Sequence, residues 1–343
     1  MSAVAQVADN SALLLKMMND MDKADQLYKP TNYWAYYEKT FFPELRREGL
    51  KDFRRRRNSV LQSFGAIDLK PHAEAAYAGR IKGVNRAVKA LFSLLNACNV
   101  KLNLSYKPEA MTAYYFQQVK NKFDAHGMNI FDCPTSVYGN PEDLYEINGT
   151  CWSQAHLRHC SMFIDAFDHM TFKPGMVYAE LGTGLGRSIE VLAQLYKDAT
   201  FLVFDIPPQL YVSNQYLSQV FKDRVLGYEQ AVAIDPDKNV LERIKGKIVM
   251  LPTWALPRWK NVRIDIFWNS ASFSEMEPES VKNYLSLVKE MTPRHIYVNA
   301  PPRGNSWGEW KPGQGGNRNP PCEADYLEFT KDTYALKTKY YTD

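Results

Sequence analysis

Residues 176 to 206 admit few folds. An apolar run at 176–179 reads as a buried strand. Glycines follow at alternate positions, Gly182, Gly184 and Gly186. Helical apolar spacing runs over 189–195, and a second apolar run, 201–204, ends in Asp205. Glycine lets backbone approach a ligand with no Cβ in the way. The helix N-terminus presents free N–H groups at the same place. An acid closing the next strand can accept two hydrogen bonds from a ribose diol. Asp205, 19 residues after Gly186, holds that position.

The rest of the C-terminal half repeats the alternation. Ile206-Pro207-Pro208 leads into a helix over about 209–221. Further strands fall at 247–251, 264–268 and 295–298, with a helix over 278–289. This order predicts an α/β fold, a parallel sheet with helices on both faces. Ligands of such sheets sit at the carboxyl ends of the strands. Gly182, Asp205, Thr253, Asn269 and Glu275 should therefore converge on one crevice. The Gly-, Pro- and Asn-rich segment 301–321, with Trp307 and Trp310, follows a strand end and is a candidate lid. A helix and one strand over 334–341 close the chain.

The N-terminal half reads as mostly helical. Its boundary with the α/β half falls near 150–172, so the domains are 1–152, a helical substrate or lid region, and 153–343. Tyr28, Tyr33, Trp34, Tyr36, Tyr37, Phe41 and Phe42 crowd together, followed by Arg46, Arg47 and the arginine run 54–57. Aromatic faces stack on sugars and arginines fork onto anions. A helix with an aromatic core face and a solvated basic face gives the same pattern, and it is the preferred reading. Amphipathic helices are expected over 73–98 and 109–124. Asn148-Gly149 signals a hairpin between 144–147 and 150–152. A helix over 153–170 has Ser153 as its N-cap.

Composition excludes several classes. A chain of 343 residues suggests about two domains. A net charge of +4 does not call for nucleic acid. No apolar run approaches the roughly 18 residues of a membrane span, and the N-terminus lacks a signal-peptide pattern. Cys98, Cys133, Cys151, Cys160 and Cys322 form no Cys-x-x-Cys pair, which suits reduced thiols in the cytoplasm.

Two cofactor classes use a glycine turn of this kind. Nicotinamide enzymes carry Gly-x-Gly-x-x-Gly, which needs glycine at 187, where Arg187 stands. Glu180-x-Gly182-x-Gly184-x-Gly186 instead resembles the first motif of the Rossmann-like S-adenosylmethionine (SAM) methyltransferases. In that family the acid lies near the cofactor's ammonium group. A carboxylate suits a cationic sulfonium amino acid better than a pyrophosphate. The resemblance implies a Rossmann-like methyltransferase sheet behind a helical N-terminal region. It places Glu180, Gly182, Gly184, Gly186 and Ser188 at the methionine moiety and Asp205 at the ribose. Ile206, Pro252 and Thr253 would flank the adenine, and Asn269 would lie beside the sulfonium. Arg158 is a candidate partner for the cofactor carboxylate and equally a surface arginine.

Three stretches narrow the resemblance. Phe-Asp-Ile-Pro-Pro-Gln-Leu-Tyr at 204–211, Asn-Ser-Ala-Ser-Phe-Ser-Glu-Met at 269–276 and Tyr-Lys-Pro-Thr-Asn-Tyr-Trp at 28–34 look like a family of sugar O-methyltransferases found beside polysaccharide and glycan genes. The similarity spans about 28–340. It implies methyl transfer from SAM to a hydroxyl of a sugar or glycan acceptor, leaving S-adenosylhomocysteine.

A sugar hydroxyl is a weak acid, so a base beside the methyl is expected. Glu275, just past the fourth strand, is one candidate. His156 and His159, on one helix face at i, i+3, are the others. A divalent metal binding two hydroxyls is the alternative. No carboxylate cluster for one is visible, and metal-independent base catalysis is preferred. Amino-directed nucleic-acid methyltransferases carry Asn-Pro-Pro-aromatic after the fourth strand, where this chain has Asn269-Ser270-Ala271. The arginine run is too short for a duplex footprint. A natural-product methyltransferase acting on a phenol or amine, and a SAM-binding module without activity, stand as rivals. Whether the helical half pairs two copies into a homo-oligomer is left open by the sequence.

Overall fold

The computed structural model describes residues 5–56, 61, 108–303, 316–317 and 319–334. Helices α1 (Ser11–Asp22), α2 (Asn32–Glu48) and α3 (Pro108–Ala125) come first. A hairpin of β1 (Tyr145–Ile147) and β2 (Thr150–Trp152) leads to α4 (Gln154–Phe167). Then follow β3 (Val177–Leu181), α5 (Arg187–Leu195), β4 (Thr200–Asp205), α6 (Pro207–Phe221), β5 (Val225–Leu226) and β6 (Ile248–Pro252). β7 (Ile266–Ser270), α7 (Pro278–Glu290), β8 (His295–Asn299) and α8 (Glu323–Thr330) complete the order.

Local chemistry sets these boundaries. Asn10 caps α1 by accepting from the Leu13 N–H at 3.1 Å. Ser153 caps α4, as expected, accepting from the His156 N–H at 3.3 Å. Asn148 and Gly149 take φ of 52° and 76°, the left-handed pair that a tight hairpin turn requires. β7 runs two residues past its expected end because pairing with β8 continues through Asn269 to Val298 and Ser270 to Asn299. β5 was not expected from sequence; two residues are too few to show a period.

The sheet is six-stranded and parallel, in the order β5-β6-β4-β3-β7-β8. β4 is buried along its whole length. One face carries α4, α5 and α6, the other α7 and α8. Alternate residues serve the two faces: Tyr178 and Val203 on the first, Ala179 and Phe204 on the second. Strand order reverses beside β3, whose neighbours β4 and β7 are reached by connections running in opposite directions. Such a reversal opens a crevice at the carboxyl ends of the strands.

The N-terminal helices share the first face's core. Val7, Leu14, Phe41 and Phe53 belong to one apolar cluster with Tyr178, Phe201 and Met250. The arginine run has a structural member: Arg54 is fully buried and donates to the carbonyls of Ser136 (2.7 Å) and Tyr138 (3.0 Å). Arg56 donates to the Glu48 and Gly49 carbonyls, both at 3.1 Å. The expected helix over 73–98, Arg57, Trp307, Trp310 and most of the 334–341 strand lie outside the described residues. Among the described residues no helix is long and apolar enough to cross a membrane.

Candidate functional site

A cavity of about 310 Å³ opens at the carboxyl ends of the strands. Its floor is Glu180 to Gly184, Asp205, Ile206 and Thr253. Arg158, His159 and Met162 of α4 form one wall. Leu27, Lys29, Pro30, Thr31, Trp34 and Glu275 form another. That volume lies in the range of small-molecule sites.

The β3–α5 turn is held by its own backbone. Gly182, Gly184 and Gly186 have φ of 80°, 57° and 91°. A Cβ on Gly182 would stand 2.1 Å from Ser272 Oγ. The Gly182 N–H donates to the Phe204 carbonyl at 2.8 Å. The Gly184 N–H donates to Asp205 Oδ2 at 2.9 Å, and the Ile206 N–H to Oδ1 at 2.8 Å. Asp205 thus pins the turn to the end of β4. Each of its oxygens keeps further acceptor capacity for a ligand. Burial pushes its carboxyl up to about 7, against these backbone donors.

Glu180 is the penultimate residue of β3 and is 2% exposed. Its Oε2 has no hydrogen-bond partner. Burial pushes the carboxyl up to about 8; the Ser188 and Tyr178 hydroxyls oppose this and the Asp205 charge adds to it. An enclosed carboxyl with an open oxygen is costly in isolation and suits a cation. Two further polar groups are left open on the cavity wall. Gln209 is 3% exposed with neither amide atom partnered, and Thr183 Oγ1 is open as well. Sequence reading missed Gln209. Its only signal is a polar residue in the first turn after Asp205.

The candidate bases separate. Glu275 lines the cavity, and the Trp34 indole N–H donates to its Oε2 at 2.9 Å. Burial pushes the carboxyl up to about 8, with Trp34 holding it down and the Asp205 charge pushing it up. His159 also lines the cavity, its Nδ1 3.1 Å from Ser188 Oγ. Burial, with Arg158 and Arg187 nearby, pushes its ring well below the usual range and leaves it neutral. His156 does not reach the cavity. It is fully buried, with Nε2 2.8 Å from the Cys133 carbonyl.

Other expected site residues divide in the same way. Gly182, Gly184, Ile206, Thr253 and Arg158 line the cavity, Arg158 from the exposed side. Gly186 caps α5 instead, packed against Leu217. Ser188 sits behind the wall and meets it through His159 and Glu180. Pro252 pairs with Asp205 across the sheet, one residue behind Thr253. Asn269 is fully buried: its amide donates to the Leu181 carbonyl (2.9 Å) and Ser272 Oγ (2.7 Å), and its oxygen accepts from the Phe273 N–H (3.1 Å). It braces the turn from below. Among the described residues no three His, Cys, Asp or Glu side chains are grouped to hold a metal ion.

No protein-family model matches the chain, and no curated protein is similar enough to count as a match.

Proposed function

We propose that the chain is a SAM-dependent O-methyltransferase acting on a hydroxyl of a sugar or glycan. The observation that carries the proposal is the open, buried Glu180 Oε2 beside the glycine turn that Asp205 pins. A cationic amino group fits Glu180, and a ribose diol fits the remaining lone pairs of Asp205. A dinucleotide pyrophosphate would instead face two carboxylates. The parallel sheet with its order reversal beside β3 fits the Rossmann-like arrangement of such enzymes.

Bound SAM supplies an electrophilic methyl group and a neutral thioether leaving group. The chain's own residues do the rest. Glu180 and Asp205 hold two ends of one ligand and so orient its centre. Ile206 and Thr253 stand where an adenine would lie. Glu275, when ionised, takes the acceptor's hydroxyl proton. A carboxyl at about 8 is closer to the strength a general base needs near neutrality than an ordinary one. Trp34 gives the acceptor's C–H face an aromatic wall. A second reading, a phenol or amine acceptor, draws on the apolar part of the same wall, which includes Leu27, Met162 and Met276.

Label transfer from methyl-labelled SAM decides between these readings. Free sugars, nucleotide sugars, glycan fragments and small phenols are offered with and without EDTA. Label on a sugar hydroxyl that survives EDTA is the expected result. Label only on a phenol or amine removes the sugar reading. Failure to bind S-adenosylhomocysteine by calorimetry removes the cofactor reading as well.

A further inference from the structure

Glu275 is held from outside its own half of the chain. Two contacts reach it from the N-cap and first turn of α2. Thr31 Oγ1 donates to the Glu275 carbonyl at 3.1 Å, and the Trp34 indole donates to Oε2 at 2.9 Å. The segment before α2 is fixed too, since Thr253 Oγ1 donates to the Tyr28 carbonyl at 2.8 Å. The indole itself is wedged among rings. Tyr33 lies 5.2 Å away edge-on, Phe41 5.6 Å and Tyr37 6.2 Å. The ring packs on the apolar cluster of the first sheet face, but its hydrogen bond goes to Glu275. It joins an aromatic wall of the cavity to the one carboxyl on that wall.

We propose that Trp34 is a positioning residue for Glu275, holding the carboxylate by Oε2 so that Oε1 is the oxygen that meets the acceptor's proton. The proposal rests on the reading of Glu275 as the base. Indole N–H is a donor only, so it orients a carboxylate and cannot compete for the acceptor's proton. A donor to the charged form also favours that form. Among the described residues the other groups acting on Glu275 are the Asp205 charge and the Tyr33 hydroxyl, which burial and the Glu275 charge keep protonated. Glu180, His159 and Arg158 line the remaining walls of the same cavity. None of these is a donor locked to Glu275 as Trp34 is.

Two measurements on the whole chain test the contact without acceptor or cofactor. In the first, glutamate carries 13C at Cδ, and the Glu275 signal is the one lost in Glu275→Gln. Its titration midpoint is expected to rise by about one pH unit in Trp34→Phe and to stay in place in Thr31→Val, which touches only the backbone carbonyl. In the second, the indole 15N–H signals of the unsubstituted chain are followed against pH. One of them is expected to move with the Glu275 midpoint and to lose that response in Glu275→Gln. A Glu275 midpoint unchanged in Trp34→Phe overturns the proposal. So does the absence of any indole signal that follows Glu275.

Catalysis adds a third readout. The acid limb of the pH profile of kcat/KM should move up in Trp34→Phe by the same interval, with affinity for S-adenosylhomocysteine unchanged. A limb that stays in place overturns the positioning role. If no acceptor is methylated while both titrations behave as described, the enzymatic reading falls and the contact stands.

Discussion

His156 Nδ1 lies 3.6 Å from Glu190 Oε1, and neither side chain is exposed. Glu190 also accepts from the Ser136 N–H and the Tyr216 hydroxyl, both at 2.8 Å, and faces Arg187 at 3.6 Å. One carboxylate therefore ties α4, α5, α6 and the loop before the hairpin together. Burial opposes its charge, yet His156, Arg187 and Arg54 outweigh burial and hold it well below the usual range. Burial would also lower His156, but Glu190 keeps it up at about 9. Glu190→Ala leaves these cations uncompensated. The expected loss is about 3–5 kcal/mol by chemical denaturation, with a large fall in the His156 pKa by NMR. A loss under about 1 kcal/mol would reject this account.

Stability should fall as pH rises from 7 to 8.5. Glu180 and Glu275 are held up at about 8, far above their unfolded values. His156, at about 9, acts in the same direction. Across this window the folded chain keeps protons that the unfolded chain has released, so alkali favours unfolding. Cys133, pulled down to about 7 chiefly by its contact with Cys160, works the other way within the window, one group against three; His159, held low, does so only as pH drops through its unfolded value near 6.5. Calorimetric Tm values of the ligand-free protein should therefore decline. S-adenosylhomocysteine should flatten the decline by placing an ammonium at Glu180, and so should Glu180→Gln. A Tm that climbs over this interval contradicts the assignment.

Gly182→Ala tests the turn. The new Cβ would stand 2.1 Å from Ser272 Oγ at a φ of 80°. We expect S-adenosylhomocysteine affinity to drop more than about tenfold, with the fold retained. Ser272→Gly in the same chain removes the clash but not the backbone strain, about 1–2 kcal/mol. It should restore part of the affinity. Full restoration would mean that the left-handed conformation does not matter.

Gln209→Leu should separate stability from binding. The ligand-free chain buries an amide with both atoms open, so an apolar side chain of similar size should stabilise it by about 1 kcal/mol. Affinity for S-adenosylhomocysteine should fall at the same time. A higher Tm with unaltered affinity would assign Gln209 to packing alone.

The glycine turn and Asp205 were legible in the sequence because backbone conformation dictates the glycines and strand ends dictate the acid's place. The alternation of strands and helices was legible for the same kind of reason: its signals are local. What local patterns miss is which side of an element faces what. His156 and His159 share one helix face at i, i+3, yet one packs on Glu190 and the other reaches the cavity. Arg54 reads as the start of a solvated run and is instead buried against carbonyls. Asn269 reads as a ligand residue at a strand end, but pairing carries β7 past it and turns its amide onto Leu181 and Ser272. The Trp34–Glu275 contact leaves no trace in either neighbourhood.

That contact spans 241 residues, and the Thr31 and Tyr28 contacts span 244 and 225. Closing loops of this length is the slow part of folding. A ribosome delivers α2 long before the strand end that seats it. The glycine turn and Asp205 are joined by a contact spanning 21 residues, whereas the Trp34 wall waits for Glu275. The turn's own contacts should thus form before the acceptor wall each time the chain is made, and the two could be timed separately during refolding.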